Sequence, residues 1–232
     1  MPFNKDTVPD FSVKEICHNT VEIIEENHHH VLYVDGEKWM VVGPGKVNKS
    51  VKELFSSYDL AHGEVIISGL GFGILALWLC NKPEVSHVTV LEVSKDVIDV
   101  FKASNAVPHN MTILECDASK FVSSKKYDCL FLDHYEKQRF DWRIKNMKQV
   151  CKNINHNIFW SWSLEHIYLF KKYQASEQLN LFNKNIFTNI KDFSAHWNDF
   201  VLEYFPDEVS LLQISNQKVN EYVHTYFNEK YF

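Results

Sequence analysis

Hydrophobic and polar positions follow two rhythms along the chain. Over residues 20–42 the short apolar runs Val21-Glu22-Ile23-Ile24, Val31-Leu32-Tyr33-Val34 and Trp39-Met40-Val41-Val42 predict strands. The polar stretch Glu26 to His30 separates the first two, and Asp35-Gly36 separates the second and third, a dipeptide suited to a tight hairpin. Gly43-Pro44-Gly45 ends this rhythm. Val51, Leu54, Phe55 and Tyr58 then recur at helical spacing behind Ser50, with Glu53 three residues on, which predicts a short helix over 50–60.

From Glu64 the rhythm becomes strand, turn, helix. Predicted strands are Val65–Ile67, Val88–Leu91, Met111–Leu114, Tyr127–Leu132 and Asn157–Trp160; predicted helices are Ile74–Cys80, Lys95–Ser104 and Arg139–Asn153. The pattern predicts an α/β fold, a Rossmann-like doubly wound, mostly parallel sheet with helices on both faces. A small N-terminal β-hairpin region (1–48) precedes the core (49–163), and a mostly helical C-terminal region (164–232) completes the domain. Within the last, Val209 to Tyr226 reads as a helix opened by Pro206-Asp207-Glu208, or as a helix preceded by a strand Val209–Leu212. Right-handed crossovers bring the C-terminal ends of all core strands to one edge, where the ligand crevice of such sheets lies.

Composition narrows the class. The 232 residues are 45% hydrophobic and 23% charged, enough for a full core, which excludes wholesale disorder. Seven Gly and six Pro leave few loops, so a local glycine cluster is informative. A net charge of -6 does not favour a nucleic-acid partner. Five cysteines without a C-x-x-C pair, and a polar start at Met1 to Asp10, lead to an expectation of reduced thiols and a cytoplasmic location. No apolar run reaches the roughly 18 residues of a membrane span, so no membrane partner is expected.

The chemistry gathers at Gly69-Leu70-Gly71-Phe72-Gly73, directly after a buried strand. Glycine there lets the backbone turn sharply and leaves no side chain between it and a ligand. The alternative is a tight turn packed closely on its helix. Ile74 stands where a dinucleotide fingerprint needs its last Gly, which weakens a nicotinamide reading. Each of the next three strands ends in an acid. Glu92, 19 residues after Gly73, is placed to accept ribose hydroxyls; Asp117 can accept from an adenine amino group; Asp133 reaches the centre of the crevice. A single acid at such a point is commonly a helix cap, whereas several along one edge suggest a ligand site.

These residues resemble the cofactor half of class I S-adenosylmethionine-dependent methyltransferases, most closely the spermidine synthase branch. Val65 to Gly73 is similar to that branch's strand and glycine loop, Val90-Leu91-Glu92-Val93 to its second-strand motif, Cys116-Asp117-Ala118 to its adenine-side motif, and Tyr127 to Asp133 to its fourth strand. The N-terminal strands are also similar to that branch's small β-domain. The resemblance implies S-adenosyl-L-methionine as cofactor, bound by Gly69, Leu70, Gly71, Phe72, Gly73, Glu92, Val93, Asp117, Ala118 and Asp133. It also implies a transferase, methylating a small molecule or, alternatively, moving an aminopropyl group; a binding protein without chemistry is the third reading.

Three departures bear on the reaction. The branch's Tyr-His-Glu amine-holding stretch is missing, with Asn48-Lys49-Ser50-Val51 in its region; the loop aspartate is Phe72; and the fourth strand runs into Asp133-His134-Tyr135-Glu136-Lys137 instead of D-S-x-D-P. Methyl transfer needs alignment in a water-poor pocket and, for an amine or hydroxyl acceptor, a nearby base. Asp133, His134 and Glu136 are the catalytic candidates, with Tyr135 and Trp160 as aromatic walls. His134 and Tyr135 read equally well as ordinary loop residues. His28-His29-His30 reads as a solvated hairpin tip, and no metal site is expected. Trp197, Phe200, Tyr204 and Phe205 form a packing face, a crevice cover or a homodimer surface.

Overall fold

The computed structural model describes residues 13–43, 54–134, 140–162 and 203. Nine strands and four helices occur among them, in two sheets. The first sheet is antiparallel, in order β1 (Ile16–His18), β2 (Val21–Glu26), β3 (His29–Val34), β4 (Glu37–Val42). The Asp35-Gly36 hairpin forms as the dipeptide predicts: both residues are left-handed, at φ +53° and +76°, which matches the twist of the flanking strands. The Glu26–His30 region differs from expectation. Its turn is confined to Asn27 and His28, at φ +50° and +63°, and His29 and His30 belong to β3. Strand β1 was not predicted, because its three residues are too few to show an alternation.

The second sheet is fully parallel: β5 (Gly63–Ser68), β6 (Val85–Glu92), β7 (Met111–Glu115), β8 (Ser123–Leu132) and β9 (Ile154–Ser161), in spatial order β7-β6-β5-β8-β9. Its helices are α1 (Phe55–Leu60), α2 (Ile74–Cys80), α3 (Lys95–Ser104) and α4 (Phe140–Asn153). The core is a Rossmann-like α/β domain. From β5 the chain first steps outward to β6 and β7, then returns across β5 to β8 and β9. Right-handed crossovers therefore put α2 and α3 on one face and α4 on the other. Alternation along the strands agrees. Val65, Ile67, Val88, Val90, Cys129 and Phe131 share one apolar cluster with α2 and α3. Their neighbours Ile66, Leu130 and Phe159 are equally buried outside that cluster, as are Met147 and Val150 of α4.

Local chemistry fixes the elements around the crevice. Ser94 caps α3, its hydroxyl accepting from Val97 N at 3.3 Å, and Val97, Ile98, Val100 and Phe101 bury one face of that helix. Tyr58 of α1 stacks on the fully buried Trp78 of α2, with centroids 4.4 Å apart. The Lys82 ammonium donates to Tyr58 O and Ala61 O, each at 2.7 Å, and so closes the end of α1. The predicted cap of that helix, Ser50, lies outside the described residues, as does the C-terminal region 164–232 apart from Glu203. No helix among the described residues is long and apolar enough to cross a membrane.

The antiparallel sheet docks on the same face as α3. Val21, Ile23, Leu32 and Val42 are buried in the cluster that contains Phe101. At the joint, Asn19 Nδ2 donates to Asp96 Oδ1 at 2.9 Å and the Thr20 hydroxyl to Asp96 Oδ2 at 3.0 Å. His18 Nε2 lies 3.7 Å from both Asp96 Oδ1 and Asp99 Oδ2, and Lys95 also pairs with Asp99.

Candidate functional site

The strand order reverses between β5 and β8, and the C-terminal edge of a parallel sheet at such a switch point is where its ligand crevice is expected. The backbone holds that edge together. Gly69 N donates to Leu91 O at 2.8 Å, Asp133 N to Ser68 O at 2.8 Å, and Cys116 N to Glu92 O at 2.9 Å. The ends of β5, β6, β7 and β8 thus form one continuous margin, and Gly69, Glu92, Asp117 and Asp133 all lie along it.

The glycine loop is shaped by its neighbours as well as by any ligand. Gly69 and Gly71 have φ of +99° and +51°. A Cβ on Gly69 would overlap the carbonyl of Asp133, and one on Gly73 would overlap the ring of Phe101 in α3. A Cβ on Gly71 would overlap Met40 Sδ of β4. Close packing therefore accounts for Gly69 and Gly73, while Gly71 faces a flexible thioether from the other sheet. Leu70 and Phe72 between them are buried.

Glu92 is 8% exposed and turns its carboxylate back along the loop. Oε2 accepts from Leu70 N at 2.8 Å and Oε1 from Ser94 N at 2.9 Å. Each oxygen keeps a second lone pair, so the carboxylate can still accept two hydroxyls. Val93 beside it is exposed. Asp117 serves its own turn: Oδ1 accepts from Ser119 N at 2.9 Å and from the Ser119 hydroxyl at 2.7 Å. The Ser119 hydroxyl, with Lys120 nearby, holds this carboxyl below its ordinary range. Ala118 is buried next to it.

On the β8 side, Asp133 and His134 are partly buried. His134 Nδ1 pairs with the Ser68 hydroxyl, and Nε2 with Asn146 Oδ1 of α4 at 3.0 Å. With Nε2–H donating to Asn146, Nδ1 accepts from Ser68, which describes a neutral imidazole. Burial pushes its pKa below the ordinary value, against an opposing push from the Asn146 bond. Of the catalytic candidates, Glu136 lies outside the described residues, together with Tyr135 and Lys137. Trp160 is buried edge-on to Phe131, with centroids 5.9 Å apart.

Sequence reasoning did not single out Met40, Asn146 or Arg143. Arg143 is 5% exposed, and its Nη2 donates to Trp162 O at 2.9 Å, just past β9. A buried arginine behind a strand end has no pattern in a single sequence, and Met40 reads as one more strand hydrophobe. Cys129 is buried and its pKa is pushed up to about 11 by desolvation, whereas Cys116 is partly exposed, with Sγ 3.5 Å from Asp117 O.

No protein-family model matches the chain, and no curated protein does. Among solved structures it is similar to a spermidine synthase from Thermotoga maritima, at 14% identity and a TM-score of 0.46, over 65% of this chain and 55% of that one. It is also similar to an S-adenosylmethionine-dependent methyltransferase from Clostridium acetobutylicum, at 14% identity and a TM-score of 0.33, over 47% and 46%. A third, from Thiobacillus denitrificans in complex with S-adenosyl-L-homocysteine, is 16% identical with a TM-score of 0.37, over 47% of each chain. The chain thus spans 46–55% of the length of these structures. The likeness is distant. The fold assignment rests on the chain's own strand order.

Proposed function

We propose that this protein is an S-adenosyl-L-methionine-dependent transferase that methylates a small molecule. The observation that carries the reading is the pairing of the glycine loop with Glu92 at the switch point of a parallel sheet. There a buried carboxylate bonded to Leu70 N keeps lone pairs for sugar hydroxyls. The residues fit an adenosyl group: Glu92 for the ribose, residues 69–73 for close backbone approach, and Asp117 with Ala118 beside the base. When bound, the cofactor supplies an already activated methyl group. The protein's task is then to align an acceptor and exclude water. Asp133 and Glu136 are the carboxylates for removing an acceptor's proton. His134 acts by position, because both ring nitrogens are engaged, and it holds the Asp133 backbone between Ser68 and α4.

Calorimetric titration with S-adenosyl-L-methionine and, separately, NADH tests the cofactor. Binding of the first alone is expected, and binding of NADH alone rejects the reading. Turnover across amines, acids and hydroxyl compounds tests the chemistry, with Asp133→Asn expected to lower turnover while sparing cofactor affinity.

A second reading has its own support. The described polar groups Asp117 and His134 are engaged in bonds within the protein, as they would be in a protein that binds an S-adenosyl ligand without transferring from it. Tight binding with no turnover on any acceptor class would favour it.

A further inference from the structure

In a nucleotide-binding glycine loop the second glycine is bare so that a ligand can approach the backbone. Here the space a Cβ would take at Gly71 holds Met40 Sδ, with Cε and Cγ of the same side chain 3.6 and 3.9 Å away. A register shift puts Met40 there. Pairing outward from the Asp35-Gly36 hairpin runs Val34 with Glu37 and Tyr33 with Lys38, so regular pairing would set Trp39 opposite the buried Leu32. A bulge between Leu32 and Tyr33 instead sets Met40 opposite Leu32, on the inner face, and leaves Trp39 at 41% exposure. Bulges re-aim side chains in this way near functional sites. Met40 packs against the main core cluster but is not itself fully buried. Its thioether is flexible and apolar, able to fill a gap and to leave it.

The geometry points to Met40 as the gate of the adenosyl site: its thioether stands on the Gly71 surface where the ligand lies, and the ligand enters by displacing it. The inference rests on the S-adenosyl reading above and adds to it a residue that sets affinity from the other sheet.

The test is calorimetric titration of the full chain with S-adenosyl-L-homocysteine in three forms: wild type, Met40→Ala and Met40→Leu. Met40→Ala is expected to bind more tightly, on the order of tenfold, the factor by which a site open a tenth of the time is weakened. Met40→Leu keeps the volume and is expected to stay near wild type. Equal or weaker binding by Met40→Ala overturns the gate while leaving the S-adenosyl reading intact. No binding by any of the three overturns both. Methionine-methyl NMR on the wild type guards against a poorly folded variant. The Met40 resonance, assigned by its loss in Met40→Leu, should move on ligand addition while that of the fully buried Met147 stays. Binding with an unmoved Met40 resonance overturns the gate.

Discussion

On the β6 side of the crevice Glu92 is tied to backbone amides of the glycine loop and of α3, and its carboxylate keeps acceptor capacity. On the β8 side His134 is tied through both nitrogens to Ser68 and Asn146, side chains of β5 and α4. The first arrangement is a charged group held in place by two backbone amides, with lone pairs to spare. The second is a neutral ring whose donor and acceptor are both used by Asn146 and Ser68. Two polar residues at strand ends thus differ physically, and the acceptor capacity each has left distinguishes them.

The contrast is open to direct attack. Gly69 joins the two halves, because it is left-handed and a Cβ there would overlap the Asp133 carbonyl. Gly69→Ala is expected to destabilise the fold by about 4 kcal/mol, combining backbone strain with an overlap that no side-chain rotation relieves. Urea denaturation reads this, and a loss under about 1 kcal/mol would mean the halves are not locked there. Glu92→Ala is expected to weaken S-adenosyl-L-methionine binding by about 2 kcal/mol, the loss of a charged hydrogen-bond partner. Unchanged affinity in the titration would remove Glu92 from the ligand.

The His134 half has a pH signature. Burial lowers its pKa from the ordinary 6.5, so below that value the unfolded chain takes up a proton that the folded one resists. The stability that neutral His134 supplies is complete above about pH 6.5 and is lost as pH falls toward the folded-state pKa. The slope is bounded by about 1.4 kcal/mol per pH unit, the limit for one proton. Replacing it with asparagine, His134→Asn, is expected to flatten this component of the stability profile; an unchanged slope would mean the ring is not the buried neutral group described. The smallest effect belongs to the joint between the sheets. Asp96→Asn removes the charge that receives Asn19 and Thr20 and faces His18, and should lower the melting temperature slightly, by an amount that shrinks with added salt. A salt-independent drop would argue that the joint works through packing.

Much of the core is legible in the sequence. Helices Ile74–Cys80 and Lys95–Ser104 fall at their predicted bounds, because Gly73 and Pro83 punctuate the first and the Ser94 cap opens the second. The parallel strands differ from prediction mainly at their ends. Strand β8 begins four residues early, at Ser123, since Ser123 to Lys126 are polar and Ser123 joins the sheet by pairing with Ile154, across a register shift that no hydrophobic pattern records. The positions of Glu92, Asp117 and Asp133 along one edge also followed from the sequence, through the rule that crossovers share a hand.

The sequence by itself determined the alternation of strands and helices, the glycine loop and the acids at the strand ends, because these follow from local propensity and short-range periodicity. Tertiary structure decided which acids keep free lone pairs, that His134 bridges β5 and α4, and that Met40 rather than Trp39 meets Gly71. Each of those outcomes depends on partners remote along the chain: 22 residues separate Leu70 from Glu92, and 66 separate Ser68 from His134. Such contacts, and a one-residue bulge that exchanges the faces of a strand, are fixed only when the sheets pack.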